Sequence, residues 1–123
     1  MTSPVILVID DDKNLVELMQ QFLEGEGYTV FTALDGIHAR PLAEEREPAL
    51  IIMDVDMPFT NGIKALEQLR AGEKTSHIPV IMLTGVVSGS IYPIIEQMPR
   101  VSHMKKPVSL EDLLSMVRTY VRE

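Results

Sequence analysis

The chain has 123 residues, the size of one compact domain, with 46% apolar and 24% charged residues, which excludes a disordered or fibrous protein. No cysteine is present, so there is neither a disulfide framework nor a thiolate metal site. The net charge of −7 argues against direct binding to nucleic acid, whose affinity rests on Lys and Arg neutralising phosphates.

In chain order, Val5 to Ile9 is a continuous aliphatic run that stops at Asp10, Asp11 and Asp12, the pattern of a buried parallel strand. Leu15, Leu18, Met19, Phe22 and Leu23 recur at helical spacing, with Gly25 or Gly27 as the stop. Tyr28 to Leu34 reads as a second strand, and Asp35 to Arg46 as a weak helix interrupted at Pro41. Ala49 to Met53 repeats the apolar run and ends at Asp54. Pro58 and Asn61-Gly62 mark a loop before a helix whose stripe is Ile63, Leu66 and Leu69.

Ile78 to Leu83 forms the fourth strand and ends at Thr84. After a Gly/Ser-rich passage, Ile91, Ile94, Ile95 and Met98 give another stripe. Pro93 fits only a first turn and Pro99 disfavours helix before it, so this helix should span about 91 to 97 after a mobile Gly85 to Ser90 loop. A short strand from Ser102 to Lys106 stops at Pro107. Ser109 is the expected N-cap of the last helix, with Glu111 and Asp112 in its first turn and Leu110, Leu113, Leu114, Val117 and Val121 on its buried face. Five strands alternating with five helices predict a single α/β domain over residues 1–123, a doubly wound parallel sheet with helical crossovers. The longest apolar runs fall far short of a membrane span, so the reading is a cytoplasmic protein with no membrane contact.

The polar residues at the strand ends converge. Ligands in open α/β sheets bind outside the carboxyl ends of the strands, where the strand order reverses. Asp10 and Asp11 end the first strand, Asp54 the third, Thr84 the fourth and Lys106 the fifth. Three carboxylates with a backbone carbonyl suit Mg²⁺, and a carboxylate nucleophile beside a cation, a hydroxyl and an ammonium is the equipment for phosphoryl transfer. Asp12 is read as a helix cap, Lys105 as pointing to solvent, and His38, His77 and His103 lack metal-ligand spacing.

At Val8-Ile9-Asp10-Asp11-Asp12, Ile51 to Pro58, Asn61-Gly62, Leu83-Thr84-Gly85 and Lys106-Pro107, the sequence resembles the response-regulator receiver family of two-component signalling, over essentially the whole chain. The resemblance implies a flavodoxin-like (βα)5 fold with strand order 2-1-3-4-5. It implies Asp54 as phosphoacceptor, with Asp10 and Asp11 as the acidic pair. Mg²⁺ would be held by Asp11, Asp54 and the Asp56 backbone carbonyl, with Asp10 beside them. Thr84 and Lys106 would contact the phosphoryl group. It also implies a sensor histidine kinase or phosphotransfer protein as donor, and a downstream effector protein or domain as target. Such a protein is a regulatory switch rather than a conventional enzyme. It promotes its own phosphoryl transfer and loses the group slowly, with Asp56 and Val86 placed to hold or exclude the hydrolytic water. Where receivers usually carry an aromatic switch residue, three before the Lys, this chain has His103. Switching is therefore expected to act by ordering the Gly85–Ser90 loop and the helix after it.

Two other readings stay open at this point. Ile51 to Asp56 also looks like the Asp-x-Asp motif of haloacid-dehalogenase-type phosphatases, although that family places its remaining metal-binding acids after the Lys, where this chain has only Glu111, Asp112 and Glu123. A pseudo-receiver, which keeps the fold and no longer switches by phosphorylation, would be marked by a lost acid, Thr or Lys, and none is lost.

Overall fold

The computed structural model describes residues 3–57, 62–85 and 91–121, with only the backbone for residues 91 and 92. Five strands, β1 (Val5–Ile9), β2 (Thr29–Ala33), β3 (Leu50–Asp54), β4 (Val80–Thr84) and β5 (Val101–Lys105), alternate with helices α1 (Lys13–Gly25), α2 (Ala39–Arg46), α3 (Gly62–Ala71), α4 (Ile91–Gln97) and α5 (Leu110–Tyr120). The strands form one parallel sheet in the order β2-β1-β3-β4-β5. The order reverses between β1 and β3, so the crevice of the sheet opens at the ends of those two strands.

The central strands are apolar along their whole length because helices cover both faces. On one face Leu7, Ile9, Ile51, Met53, Val80 and Met82 pack with Ala39 and Ala43 of α2, Leu66 and Leu69 of α3, and Ile95 of α4. On the other, Ile6, Val8, Leu50, Ile52, Ile81 and Leu83 pack with Val16, Met19 and Leu23 of α1, and Leu113 and Val117 of α5. Each fully buried Leu, Ile or Met contributes on the order of 2 kcal/mol of hydrophobic stabilisation. This two-sided core also fixes register, bringing Ile9 level with Met53, Asp54 with Leu83 and Thr84 with Lys105.

Several local expectations shift. The helix expected to break at Pro41 instead begins at Ala39, after a 3₁₀ turn over Gly36–His38 capped by the Asp35 carboxylate. Pro41 is then the third residue of the helix, where no intrahelical N–H is required. On α1 the buried stripe runs through Val16, Met19 and Leu23, whereas Leu18 is 50% exposed. β4 starts at Val80 rather than Ile78, because the Ile78 N–H closes the preceding turn on the Thr75 carbonyl at 3.2 Å and Pro79 has no N–H. β5 is shifted back by one residue to Val101–Lys105, yet the Lys106 N–H still donates to the Thr84 carbonyl at 2.8 Å. α4 spans Ile91–Gln97, as the two prolines require, and Gly27, at φ 98°, provides the left-handed residue just after α1. Ser109 caps α5 by accepting from the Asp112 N–H. Pro58, Asn61, Val86 and the rest of the Gly85–Ser90 loop beyond Gly85 lie outside the described residues. Among the described residues no helix is long and apolar enough to cross a membrane.

Candidate functional site

The site forms at the carboxyl end of the sheet, and the β1–α1 junction shows how the sequence divides three successive acids. The Asp10 N–H donates to the Ala33 carbonyl at 3.2 Å, continuing β1 and directing a fully buried carboxylate inward. Asp10 Oδ1 accepts the Asp12 N–H at 2.9 Å. Asp12 in turn caps α1, its Oδ1 accepting the N–H groups of Asn14 and Leu15. Asp11, between them, is exposed at the rim.

Asp54 ends β3 only 2% exposed, and its Oδ1 accepts the Asp56 N–H at 3.2 Å. Lys106 reaches across from β5, placing Nζ 2.9 Å from Asp10 Oδ2 and 3.3 Å from Asp54 Oδ2. The first contact is an ion pair without hydrogen-bond geometry, and Asp10 Oδ2 has no hydrogen-bond partner despite its burial. Thr84, 2% exposed at the end of β4, donates its hydroxyl to the Met104 carbonyl at 3.3 Å.

Two buried carboxylates therefore share one ammonium. Burial, reinforced by the negative charge of Asp10, pushes the Asp54 carboxyl up to about 6 against the opposing pull of Lys106 and the Asp56 N–H. Burial alone would lower the Lys106 pKa, but Asp10 and Asp54 outweigh it and hold it above the ordinary lysine value. The site is short of positive charge. Asp10, Asp11 and Asp54 each offer a carboxylate oxygen, and the three oxygens lie within 4.8 Å of one another. Opposite ligands of an octahedral Mg²⁺ stand roughly 4.2 Å apart, so a divalent cation fits this oxygen set.

The structure thus brings Asp10, Asp11, Asp54 and Lys106 together, with Thr84 at the neighbouring strand end. Asp56 is exposed and reaches the cluster through its backbone N–H, a contact the sequence did not suggest. His103 is exposed on β5 opposite Met82, two residue pairs before the Thr84–Lys105 pair. Lys105 is exposed, as its place beside Lys106 implies. Sequence reasoning treated Gly62 as a loop mark and as part of the family resemblance, with no contact to the site, but it packs against the Asp54 backbone. The acids of α5, Glu111 and Asp112, are exposed and take no part in the carboxylate cluster, unlike the metal acids of the dehalogenase-type arrangement.

Comparison with known proteins agrees with this geometry. The response regulator receiver domain family matches residues 6–118, and the chain belongs to that family. It is 37% identical over 121 residues to the DNA-binding dual master transcriptional regulator RpaA of Synechocystis, covering 97% of this chain but 49% of that protein. It is 30% identical to the polar-differentiation response regulator DivK of Brucella ovis, covering 98% of each. Among solved structures, chemotaxis protein CheY4 of Vibrio cholerae superposes with a TM-score of 0.90 at 26% identity, covering 98% of this chain and 100% of that one. A CheY-like receiver from Methanospirillum hungatei gives 0.89 at 26% identity, covering 96% of this chain and 93% of that one. The chain is therefore a receiver domain of two-component response regulators, a regulatory module that works with histidine kinases and effectors.

Proposed function

We propose that Asp54 accepts a phosphoryl group in a Mg²⁺-dependent reaction, and that residues 1–123 act as a single receiver switched by that event. The observation that carries this reading is the sharing of Lys106 between the buried carboxylates of Asp10 and Asp54, at 2.9 and 3.3 Å, with Asp11 beside them. The donor is a phosphohistidine on a sensor kinase or phosphotransfer protein. An Asp54 oxygen attacks phosphorus in line, the P–N bond breaks with its electron pair left on the imidazole nitrogen, and that nitrogen takes a proton from water.

Asp11, Asp54 and the Asp56 carbonyl, with Asp10 beside them, would hold Mg²⁺. The ion supplies charge neutralisation for the phosphoryl oxygens. Lys106, already 3.3 Å from Asp54, follows the acceptor oxygen and pairs with the new phosphate. Thr84 exchanges the Met104 carbonyl for a phosphoryl oxygen, which loosens the link between β4 and β5. Phosphorylation adds about −1.5 to −2 charges at pH 7, and this rearrangement passes the change to an effector protein or domain. The exposed Asp56 carboxylate disfavours an incoming hydroxide, so the acyl phosphate is hydrolysed slowly.

The reading carries a cytoplasmic location, where a kinase can supply the phosphoryl group. At a net charge of −7, the domain itself makes no nucleic-acid contact. RpaA is described as DNA-binding, but this chain spans about half its length.

Incubation with a small-molecule phosphodonor, followed by intact mass, tests the proposal. A gain of one phosphoryl group that requires Mg²⁺ is expected; no gain with Mg²⁺ present would overturn it.

A further inference from the structure

Gly62 is the first residue of α3 and is buried. Its backbone is not left-handed: among the described residues, the positive-φ positions are Gly27, Glu47 and Arg100. Torsion therefore does not demand glycine here, but space does. A Cβ at this position would stand 2.2 Å from the Asp54 carbonyl oxygen, 2.8 Å from Val55 Cα and 3.0 Å from Met82 Cε. The two shortest contacts are with backbone, which cannot swing aside as a side-chain tip can. The Gly62 N–H also donates to the Val55 carbonyl at 2.8 Å, closing the chain segment that contains Asp56. Asp56 in turn donates its N–H to Asp54 Oδ1. The start of α3 is thus seated directly on the peptide that carries Asp54.

We propose that Gly62 is a positioning residue for phosphoryl transfer. Its bare backbone lets α3 clamp the Asp54–Val55 peptide, and the clamp sets the Asp54 carboxylate and the Asp56 carbonyl so that both address one cation. This inference rests on the roles proposed above for Asp54 and Asp56. Any side chain at 62 must push the start of α3 and the Asp54–Val55 peptide apart by roughly 1 Å to reach ordinary van der Waals separation. A misplacement of about 1 Å at a reacting centre costs on the order of 10²-fold in rate. Replacing Met82 does not remove the clash, because the two closest atoms belong to the backbone of Asp54 and Val55.

The test compares Gly62→Ala with Gly25→Ala, whose added Cβ meets nothing within 4 Å. Mg²⁺ affinity is measured by calorimetry and phosphoryl uptake with phosphoramidate, both well below the unfolding midpoints. Gly62→Ala is expected to weaken Mg²⁺ binding about tenfold and slow uptake about 100-fold, while Gly25→Ala stays within twofold of wild type. Adding Met82→Leu, a volume-conserving change, is expected to restore neither property. Restoration would assign the effect to core crowding and overturn the proposal, as would a Gly62→Ala protein within twofold of wild type.

Should Gly62→Ala fail to fold, amide exchange at Gly62 in the wild-type protein decides. If the clamp must be closed for the cation to bind, protection rises with Mg²⁺, by about 100-fold at 100 times the dissociation constant. Unchanged protection overturns the clamp. A wild-type protein that neither binds Mg²⁺ nor takes up phosphate instead overturns the underlying reading, a result distinct from failure of the clamp alone.

Discussion

Replacing Asp54 by Asn should make the metal-free protein more stable at neutral pH, although it removes the central group of the site. The wild-type carboxyl is carried from 3.8 to about 6 by burial and by the charge of Asp10. A folded-state pKa above the unfolded value means that the native state binds the proton more tightly. The associated stability is fully present below pH 3.8 and is lost as the pH rises to about 6. At pH 7 the loss is on the order of 3 kcal/mol at most, and about 1–3 kcal/mol once coupling through the shared Lys106 is allowed for. Asn is close in shape, can still accept the Asp56 N–H, and leaves Lys106 to Asp10 at 2.9 Å. Urea unfolding without divalent metal, at pH 7 and again near pH 4, measures the difference. The Asn variant should be the more stable at pH 7, with the gap narrowing towards pH 4. An Asn variant less stable than wild type at pH 7 would refute the account of crowded negative charge.

Asp11→Ala should weaken Mg²⁺ binding by tenfold or more and slow phosphoryl uptake in parallel while barely changing stability, since Asp11 is exposed; calorimetry with donor kinetics checks this. Lys106→Met should destabilise the metal-free protein at pH 7 by about 3 kcal/mol, because two buried carboxylates lose their cation; denaturant unfolding measures it, and a neutral effect would contradict the geometry. His103→Ala should leave phosphoryl uptake within twofold of wild type, because His103 is exposed and sits opposite Met82, two residue pairs before Thr84; a large loss of uptake would place His103 in the site.

The fold was legible where burial is two-sided. β1 and β3 read as unbroken apolar runs ending in acids, because parallel strands under two helical layers have no polar alternation to blur their limits. The phase of α1 was harder to see. Leu18 and Val16 are both apolar, and only the placement of the helix on β1 and β2 decides that Val16 is buried and Leu18 exposed. Pro41 misled because a proline in a first turn and one in a helix interior look alike until the helix start is known. The convergence of Asp10, Asp54, Thr84 and Lys106 followed from topology, since each sits at or just beyond a strand's carboxyl end. The tight seat of Gly62 against Asp54 did not, because it is a steric contact between two elements and leaves no pattern within either.

The most direct test of the central claim is to trap the acyl phosphate chemically. After reaction with a phosphodonor, borohydride reduces an aspartyl phosphate to homoserine, and peptide mass mapping locates the change. Homoserine at position 54 alone, formed only with Mg²⁺, is the predicted result. Homoserine at position 10 or 11, or the same yield at position 54 without Mg²⁺, would contradict the account.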